Sequence, residues 1–314
     1  MVNKKRFSFI RPIIVLLLMF SCTLGSTPFP VNAEEDSLLK VTVTTSFLED
    51  IVTRIAEDTV DISLIVPAGG DPHLYNASAH DLSKILEADL LLYHGLNFEA
   101  QMATALKDYG FSVTDNFTKE QLIFVAEDSN EIAPHYWFNL DLYKQSVITA
   151  RDHLINTFPE HADLYTRNTA EYISELEALG EWIDEQIALL AVDERILVTP
   201  HDAFEYFAQM NNFTVYAPQG ISTEAEVSNE AIIQTVEFII EHQIPAIFLD
   251  TTSNPQAMEK LQEGVSQLGG EVIVVGGEDN ALYSDSLAAS GQANDNYIDM
   301  YKHNVSLIVK HLTK

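Results

Sequence analysis

Three of the chain's ten histidines directly follow a proline. His73 stands in Gly69-Gly70-Asp71-Pro72-His73-Leu74-Tyr75, His135 in Ala133-Pro134-His135-Tyr136-Trp137, and His201 in Thr199-Pro200-His201-Asp202-Ala203. A neutral imidazole binds first-row divalent metals, and a preceding proline stiffens a loop while removing a competing backbone donor. His73 comes soon after a strand-like run ending at Val66, and His201 comes directly after one ending at Thr199. In open α/β sheets, the loops beyond the carboxyl ends of strands form the binding crevice. The separations, 62 and 66 residues, match no local metal motif. On spacing alone each histidine reads more readily as a surface or satisfied core residue than as a ligand, and three Pro-His loops shift that balance only moderately. A secreted zinc hydrolase is a second reading, with Glu205 as its one candidate base, but no His-Glu-x-x-His pattern is present.

The elements that must carry these loops alternate. Strands are expected at 40–45, 62–66, 89–93 and 122–125, with helices at 47–58, around 81–87 and at 97–109. The alternation then stops. From Glu160 to Ala191 there is no proline and only Gly180 among the glycines, while Tyr165, Tyr172, Leu176, Leu179, Ile183, Ile187 and Leu190 recur at helical spacing. A helix of that length spans about 45 Å, longer than a small domain, and reads as a brace between two lobes. Beyond it strands are expected at 195–199, 213–216, 246–250 and 271–275, with a helix opening around 200–202 and others at 229–242, 254–268 and 298–312. Strands alternating with helices predict an α/β protein of two lobes, each a mostly parallel sheet flanked by helices. The expected boundaries are 34–159 for the first lobe, 160–191 for the linker helix and 192–314 for the second lobe.

The motifs then add up to a resemblance. Gly70-Asp71-Pro72-His73-Leu74-Tyr75, Pro134-His135-Tyr136-Trp137 and His201-Asp202-Ala203-Phe204-Glu205-Tyr206-Phe207 resemble the first three ligand loops of the zinc/manganese branch of bacterial solute-binding proteins (solute-binding family 9, TroA-like). Leu282-Tyr283-Ser284-Asp285-Ser286-Leu287 resembles the fourth, which places a carboxylate ligand at Asp285. Gly220–Glu226 and Ile244–Phe248 are similar to family segments as well, and the likeness covers the chain after its leader.

The resemblance implies a non-enzymatic receptor that binds one Zn²⁺ or Mn²⁺ between its lobes through His73, His135, His201 and Asp285. It further implies delivery of the ion to an ABC permease and its ATPase, a monomeric state, and modest local closure against a stiff helix. Three imidazoles and a carboxylate suit first-row metals, and four protein ligands close a zinc shell without a position for catalytic water. Zinc is favoured slightly: manganese-preferring members often carry Glu where His201 stands. The histidine-rich loop of many zinc members is replaced here by the acidic stretch 126–132. With imidazoles of ordinary basicity, affinity is expected to fall as pH drops through roughly 6.5.

Three positions depart from the family pattern: Ala77 where proline is usual, Asn139-Leu140 where Asp-Pro is usual, and His94 where Asn is common. His94 is expected to be a core histidine or a pocket-lining one. A receptor for a larger ligand, or an adhesive side role, remains as a further reading.

Charge and leader complete the picture. The chain has 314 residues, with 17 basic against 47 acidic side chains and a formal charge of −30. That balance excludes a broad nucleic-acid or anionic-lipid surface, which needs clustered Lys and Arg. Residues 1–33 hold Lys4, Lys5, Arg6 and Arg11, no acidic residue, and the apolar run Ile13–Phe20. This is the order of a secretory signal, too short to span a membrane. Cleavage is expected after Val31-Asn32-Ala33, or before Cys22 as a lipid anchor. The protein is then extracytoplasmic, periplasmic or tethered to the outer face of the cytoplasmic membrane. Without residues 1–33 the charge deepens to −34.

Overall fold

A computed structural model describes residues 38–125, 129–277 and 280–313. The leader and Cys22 lie outside the described residues, and no helix among the described residues is long and apolar enough to cross a membrane.

The first lobe runs β1 (Leu39–Val43), α1 (Ser46–Ala56), β2 (Val60–Leu64), α2 (Ala79–Glu87), β3 (Leu90–Tyr93), α3 (Ala103–Tyr109) and β4 (Phe111–Ser112). These strands form one parallel sheet in the order β2-β1-β3-β4, with Val41 opposite both Ile62 and Leu90. Val41, Val43 and Leu90–Leu92 are all buried, as a parallel sheet covered on both faces requires. Between β1 and β3 the crossovers diverge, so the loops starting at Thr44 and His94 border a natural crevice.

The chain continues through α4 (Leu140–Thr157) into α5 (Ala162–Ile187). The 26 residues of α5 span about 39 Å. Its buried stripe, Tyr165, Tyr172, Leu176, Leu179, Ile183 and Ile187, is the one the sequence periodicity marks. The helix is shorter at both ends than the expected 160–191. Arg195 holds its carboxyl end, donating from Nη2 to the carbonyls of Ile187 and Leu190. A cation there satisfies carbonyls the helix leaves open and opposes the negative end of its dipole.

The second lobe contains β5 (Ile196–Val198), α6 (Glu205–Asn211), β6 (Thr214–Tyr216), α7 (Asn229–Glu241), β7 (Ala246–Phe248), α8 (Gln256–Gln267), β8 (Ile273–Val275) and α9 (Tyr297–Leu312). β5 pairs with β6 and β7 with β8, both parallel. Single parallel bridges, His201 to Gln219 and Asp250 to Leu282, lie just beyond the carboxyl ends of these pairs.

The closing helix α9 packs back on α5 and on the first lobe. The Tyr297 and Tyr301 hydroxyls donate to the carbonyls of Trp137 and Phe138, and the Tyr297 ring stacks on Tyr143 at 3.6 Å. Two helices, α5 and α9, therefore tie the lobes together. Tyr301→Phe removes the donor to Phe138 and leaves that buried carbonyl short of a partner. It is expected to lower unfolding free energy by about 1 kcal/mol, read from a shift of the urea midpoint at unchanged slope.

Several elements differ from the sequence expectation. The strand at 122–125 is absent: only Phe124 bridges to Ile132, antiparallel, and the Ile123 amide donates to the Tyr206 hydroxyl instead of a strand. The helix at 97–109 begins as a single 3₁₀ turn, Ala100–Met102, before α3, and the helix after His201 starts only at Glu205. The 18-residue α4 has no counterpart in the expected elements. Its buried face mixes Leu142, Tyr143, Val147 and Leu154 with Ser146 and Thr149, which blurs the apolar stripe.

Candidate metal centre

All three Pro-His loops end in one place. Pro72-His73 lies in the segment between β2 and α2, and Pro134-His135 precedes a short 3₁₀ turn, Tyr136–Phe138. Pro200-His201 follows β5, and Asp285 lies between β8 and α9. One donor atom from each of His73, His135, His201 and Asp285 falls within a set whose members all lie within 4.8 Å of one another. No residue of the four is more than 2% exposed. The His73 and His135 Nε2 atoms are 3.3 Å apart. Asp285 Oδ1 is 3.3 Å from His135 Nε2, and Oδ2 is 3.2 Å from His201 Nε2 and 3.9 Å from His73 Nε2. A tetrahedron with metal–nitrogen bonds of about 2.0–2.1 Å has edges of about 3.3 Å, so these spacings suit a first-row ion.

Two donor atoms support that fit. His201 Nε2 and Asp285 Oδ1 are buried without a hydrogen-bond partner, although each has an oppositely disposed neighbour near 3.2–3.3 Å. Atoms so placed cost free energy unless a cation or a proton sits between them.

The loops are stiffened where the sequence leaves that open. In the first, Asp71 Oδ1 accepts from the His73 amide at 2.9 Å. Asp81 Oδ2 accepts from the Tyr75 hydroxyl and from the amide and hydroxyl of Ser78, so a carboxylate fastens the loop that lacks a proline at Ala77. In the second, Asn139 Oδ1 caps α4 by accepting from the Asp141 and Leu142 amides, which fixes the exit from the 3₁₀ turn. In the third, the Thr199 hydroxyl donates to the His201 carbonyl at 2.9 Å.

The Asp285 loop is fastened to the first lobe. The Trp137 indole donates to the Ser284 carbonyl at 2.9 Å, the Gly69 amide to Ser286 Oγ at 2.7 Å, and the Leu287 amide to Ser46 Oγ at 2.9 Å.

Asp250, at the end of the β7 run, supports the candidate site and is not revealed by the motifs. Its Oδ2 lies 3.0 Å from His201 Nδ1, and Oδ1 accepts from the amides of Thr252 and Ser253. A carboxylate on Nδ1 fixes a proton there and leaves Nε2 facing Asp285 at 3.2 Å. Its signal was its place: a carboxylate just beyond a strand's carboxyl end, as His201 is.

The charge states divide. Burial, reinforced by the neighbouring imidazoles, lowers His73 to about 4 and also lowers His135, so both are neutral near pH 7. Burial acts the same way on His201, but the Asp285 and Asp250 carboxylates outweigh it and hold its pKa well above 6.5. Burial raises Asp285, yet the His201 and His135 partners outweigh that and hold it well below the usual carboxylate range. Without a metal, a proton on His201 balances the two acids.

His94 is not one of the converging four. Its Nε2 is 2.6 Å from Thr45 Oγ1 and its Nδ1 is 2.9 Å from the Tyr136 hydroxyl, so both nitrogens are engaged. Burial takes its pKa down to about 3, leaving it neutral. Beside it the buried Glu99 accepts from Thr44 Oγ1 and from the His94 and Gly95 amides. Gly95 has φ +84°, and a Cβ there would meet Ser112 Oγ at 2.4 Å, so this turn requires glycine. The turn delivers Phe98, whose ring lies edge-on to His73 at 4.9 Å and packs against Trp137 at 4.7 Å. His94 is thus a satisfied core residue in the floor under the site.

Comparison with known proteins accords with this geometry. The model of the family described as zinc-uptake complex component A, periplasmic, matches residues 41–311. The manganese-binding lipoprotein MntA of Bacillus subtilis (strain 168) is 32% identical over 303 residues, covering 95% of this chain and 97% of that protein. The metal ABC transporter substrate-binding lipoprotein SsaB of Streptococcus sanguinis is 30% identical over 315 residues, covering 95% and 97%. A solved structure from work on the metal-binding specificity of TroA superposes with a TM-score of 0.86 at 49% identity, covering 88% of this chain and all of that one. Matched by the family's model from its first strand into its last helix, the chain belongs to the zinc-uptake component A family and is a TroA-like metal solute-binding protein.

Proposed function

We propose that this chain is the extracytoplasmic receptor of a bacterial ABC metal importer, holding one divalent transition-metal ion through His73, His135, His201 and Asp285 and passing it to a membrane permease and its ATPase. In this reading residues 34–159 form the first lobe, 160–191 the linker built on α5, and 192–314 the second lobe. A leader removed after Ala33, or before a lipidated Cys22, places the monomeric receptor outside the cytoplasm. The observation that carries the reading is the buried convergence of three imidazoles and one carboxylate from four separate loops at metal-like spacing.

Zinc is the preferred ion. Three nitrogens and one oxygen in a compact set suit tetrahedral Zn²⁺, whereas Mn²⁺ favours more oxygen ligands and six-coordination. The family name and the MntA relative point to different metals, and the donor set is what supports the reading as zinc. A hydrolase reading lacks support: four protein donors leave no place for water, and Glu205 is outside the convergent set. Burial and the nearby Asp202 charge raise Glu205 to about 8.

The test is metal content and competition. The purified wild-type protein is expected to hold one zinc per chain, to prefer zinc over manganese in competition, and to show no hydrolytic turnover. His73→Ala is expected to lose the stoichiometric ion. Tight one-to-one binding that survived this change would overturn the assignment.

A further inference from the structure

The segment Gly220–Glu226 has no role in the site as described, yet it spans from one lobe to the other. Its root lies against His201: Gln219 bridges to His201, and the Asp202 amide donates to the Gly220 carbonyl at 3.2 Å. Ile221 is buried in the main core, and Gln219 Nε2 donates to the Ala225 carbonyl at 2.6 Å, closing the segment into a loop. Its far side reaches the first lobe at two points. Thr223 Oγ1 donates to Asp71 Oδ2, and Gln101 Nε2 donates to Glu224 Oε1 at 2.8 Å. Asp71 is the carboxylate whose other oxygen accepts from the His73 amide.

Under this loop is a cavity of about 330 Å³, lined from both lobes. Its walls include Asn97, Glu131 and Pro134 on one side and Ile221, Ser222 and Glu224 on the other. Of the four converging donors, His73 is the one that lines it. The cavity is larger than a hydrated ion requires, two carboxylates border it, and it leads to a ligand that is 2% exposed.

Resting on the receptor reading, we propose that residues 220–226 are a strap that closes the port by which the metal reaches and leaves His73, with the Thr223–Asp71 and Gln101–Glu224 hydrogen bonds as its two latches. The strap joins the body that carries His201 to the loop that carries His73. Opening it separates Thr223 and Glu224 from the first lobe without moving a donor atom. Glu131 and Glu224 give the port a negative rim that favours divalent cations over anions.

The test uses Thr223→Val, which keeps the side-chain shape and removes the donor, together with Gln101→Leu. Zinc-loaded protein is mixed with excess chelator in a stopped-flow instrument, and the Co²⁺-loaded forms are compared by visible absorption. Release from the double variant is expected to be about tenfold faster than from wild type, the factor given by about 1.4 kcal/mol of lost closing energy, with an unchanged Co²⁺ spectrum. Release at the wild-type rate would overturn the strap. So would faster release with an altered Co²⁺ spectrum, because Thr223 would then act by holding His73 through Asp71. A wild-type protein that bound no metal would instead sink the receptor reading, so the two failures are distinguishable.

Discussion

Asp285→Ala is expected to abolish stoichiometric zinc binding, with affinity falling at least about a thousandfold. Outer partners of metal ligands are worth about 10–100-fold, and Asp285 is more than that: it is the single charged donor proposed for the ion and lies 3.2–3.9 Å from all three imidazole Nε2 atoms. The loss is measured by competition with a chromophoric chelator. A second readout is thermal: a thousandfold loss of affinity removes about 4 kcal/mol of metal-linked stabilisation, so the zinc-induced rise in Tm should vanish. Asp285→Asn keeps the volume and some hydrogen-bonding capacity while removing the charge, which guards against a folding artefact. Undiminished tight binding in a folded Asp285→Asn protein would count against the carboxylate as a donor.

The second large effect is the dependence of affinity on pH. His73 and His135 are neutral near pH 7 because burial lowers both, His73 to about 4. His201 differs: its neighbouring carboxylates keep a proton on it well above pH 6.5. Asp250 retains the Nδ1 proton, so an ion binding at Nε2 must expel the other one. One proton released per metal makes affinity rise about tenfold per pH unit below the His201 pKa, and fall about a hundredfold from pH 7 to pH 5. Below about 4 His73 also takes up a proton in the free protein, and the slope steepens. This corrects the simple expectation of a fall centred on 6.5, which treats the three imidazoles as alike. Titration calorimetry in buffers of different ionisation enthalpy should count close to one proton released at pH 6. A count near zero would show His201 already neutral.

The sequence showed some parts of this arrangement well and others poorly, for physical reasons. The long helix was readable because Tyr165, Tyr172, Leu176, Leu179, Ile183 and Ile187 all face the core. α4 was not, because Ser146 and Thr149 share its buried face and interrupt the stripe. The 122–125 run has strand-like residues, but the neighbouring Tyr206 hydroxyl takes the Ile123 amide, and residue type does not report a partner 83 positions away. Three ligand candidates stood out because proline marks their loops, and the resemblance supplied the fourth. Asp250 is marked only by its place after a strand, and Glu99 carries no local mark. Their roles depend on which loop ends the fold brings against them, and that is a tertiary property.

The fastening of the Asp285 loop has a mechanical consequence. By chain order the four donors divide two and two between lobes. By attachment Asp285 belongs to both: Trp137, Gly69 and Ser46 bind its loop to the half that holds His73 and His135, while Leu282 bridges to Asp250 and Ser284 Oγ lies 3.0 Å from Thr252 Oγ1 on the His201 side. His201 follows β5, and Asp250 supports it from the end of the β7 run. Asp285 is therefore the one member of the candidate set whose loop is fastened to both halves. Any rotation of one half against the other must stretch ties on this single loop. The Asp285 loop is thus the seam of the candidate site, where relative movement of the halves would register first.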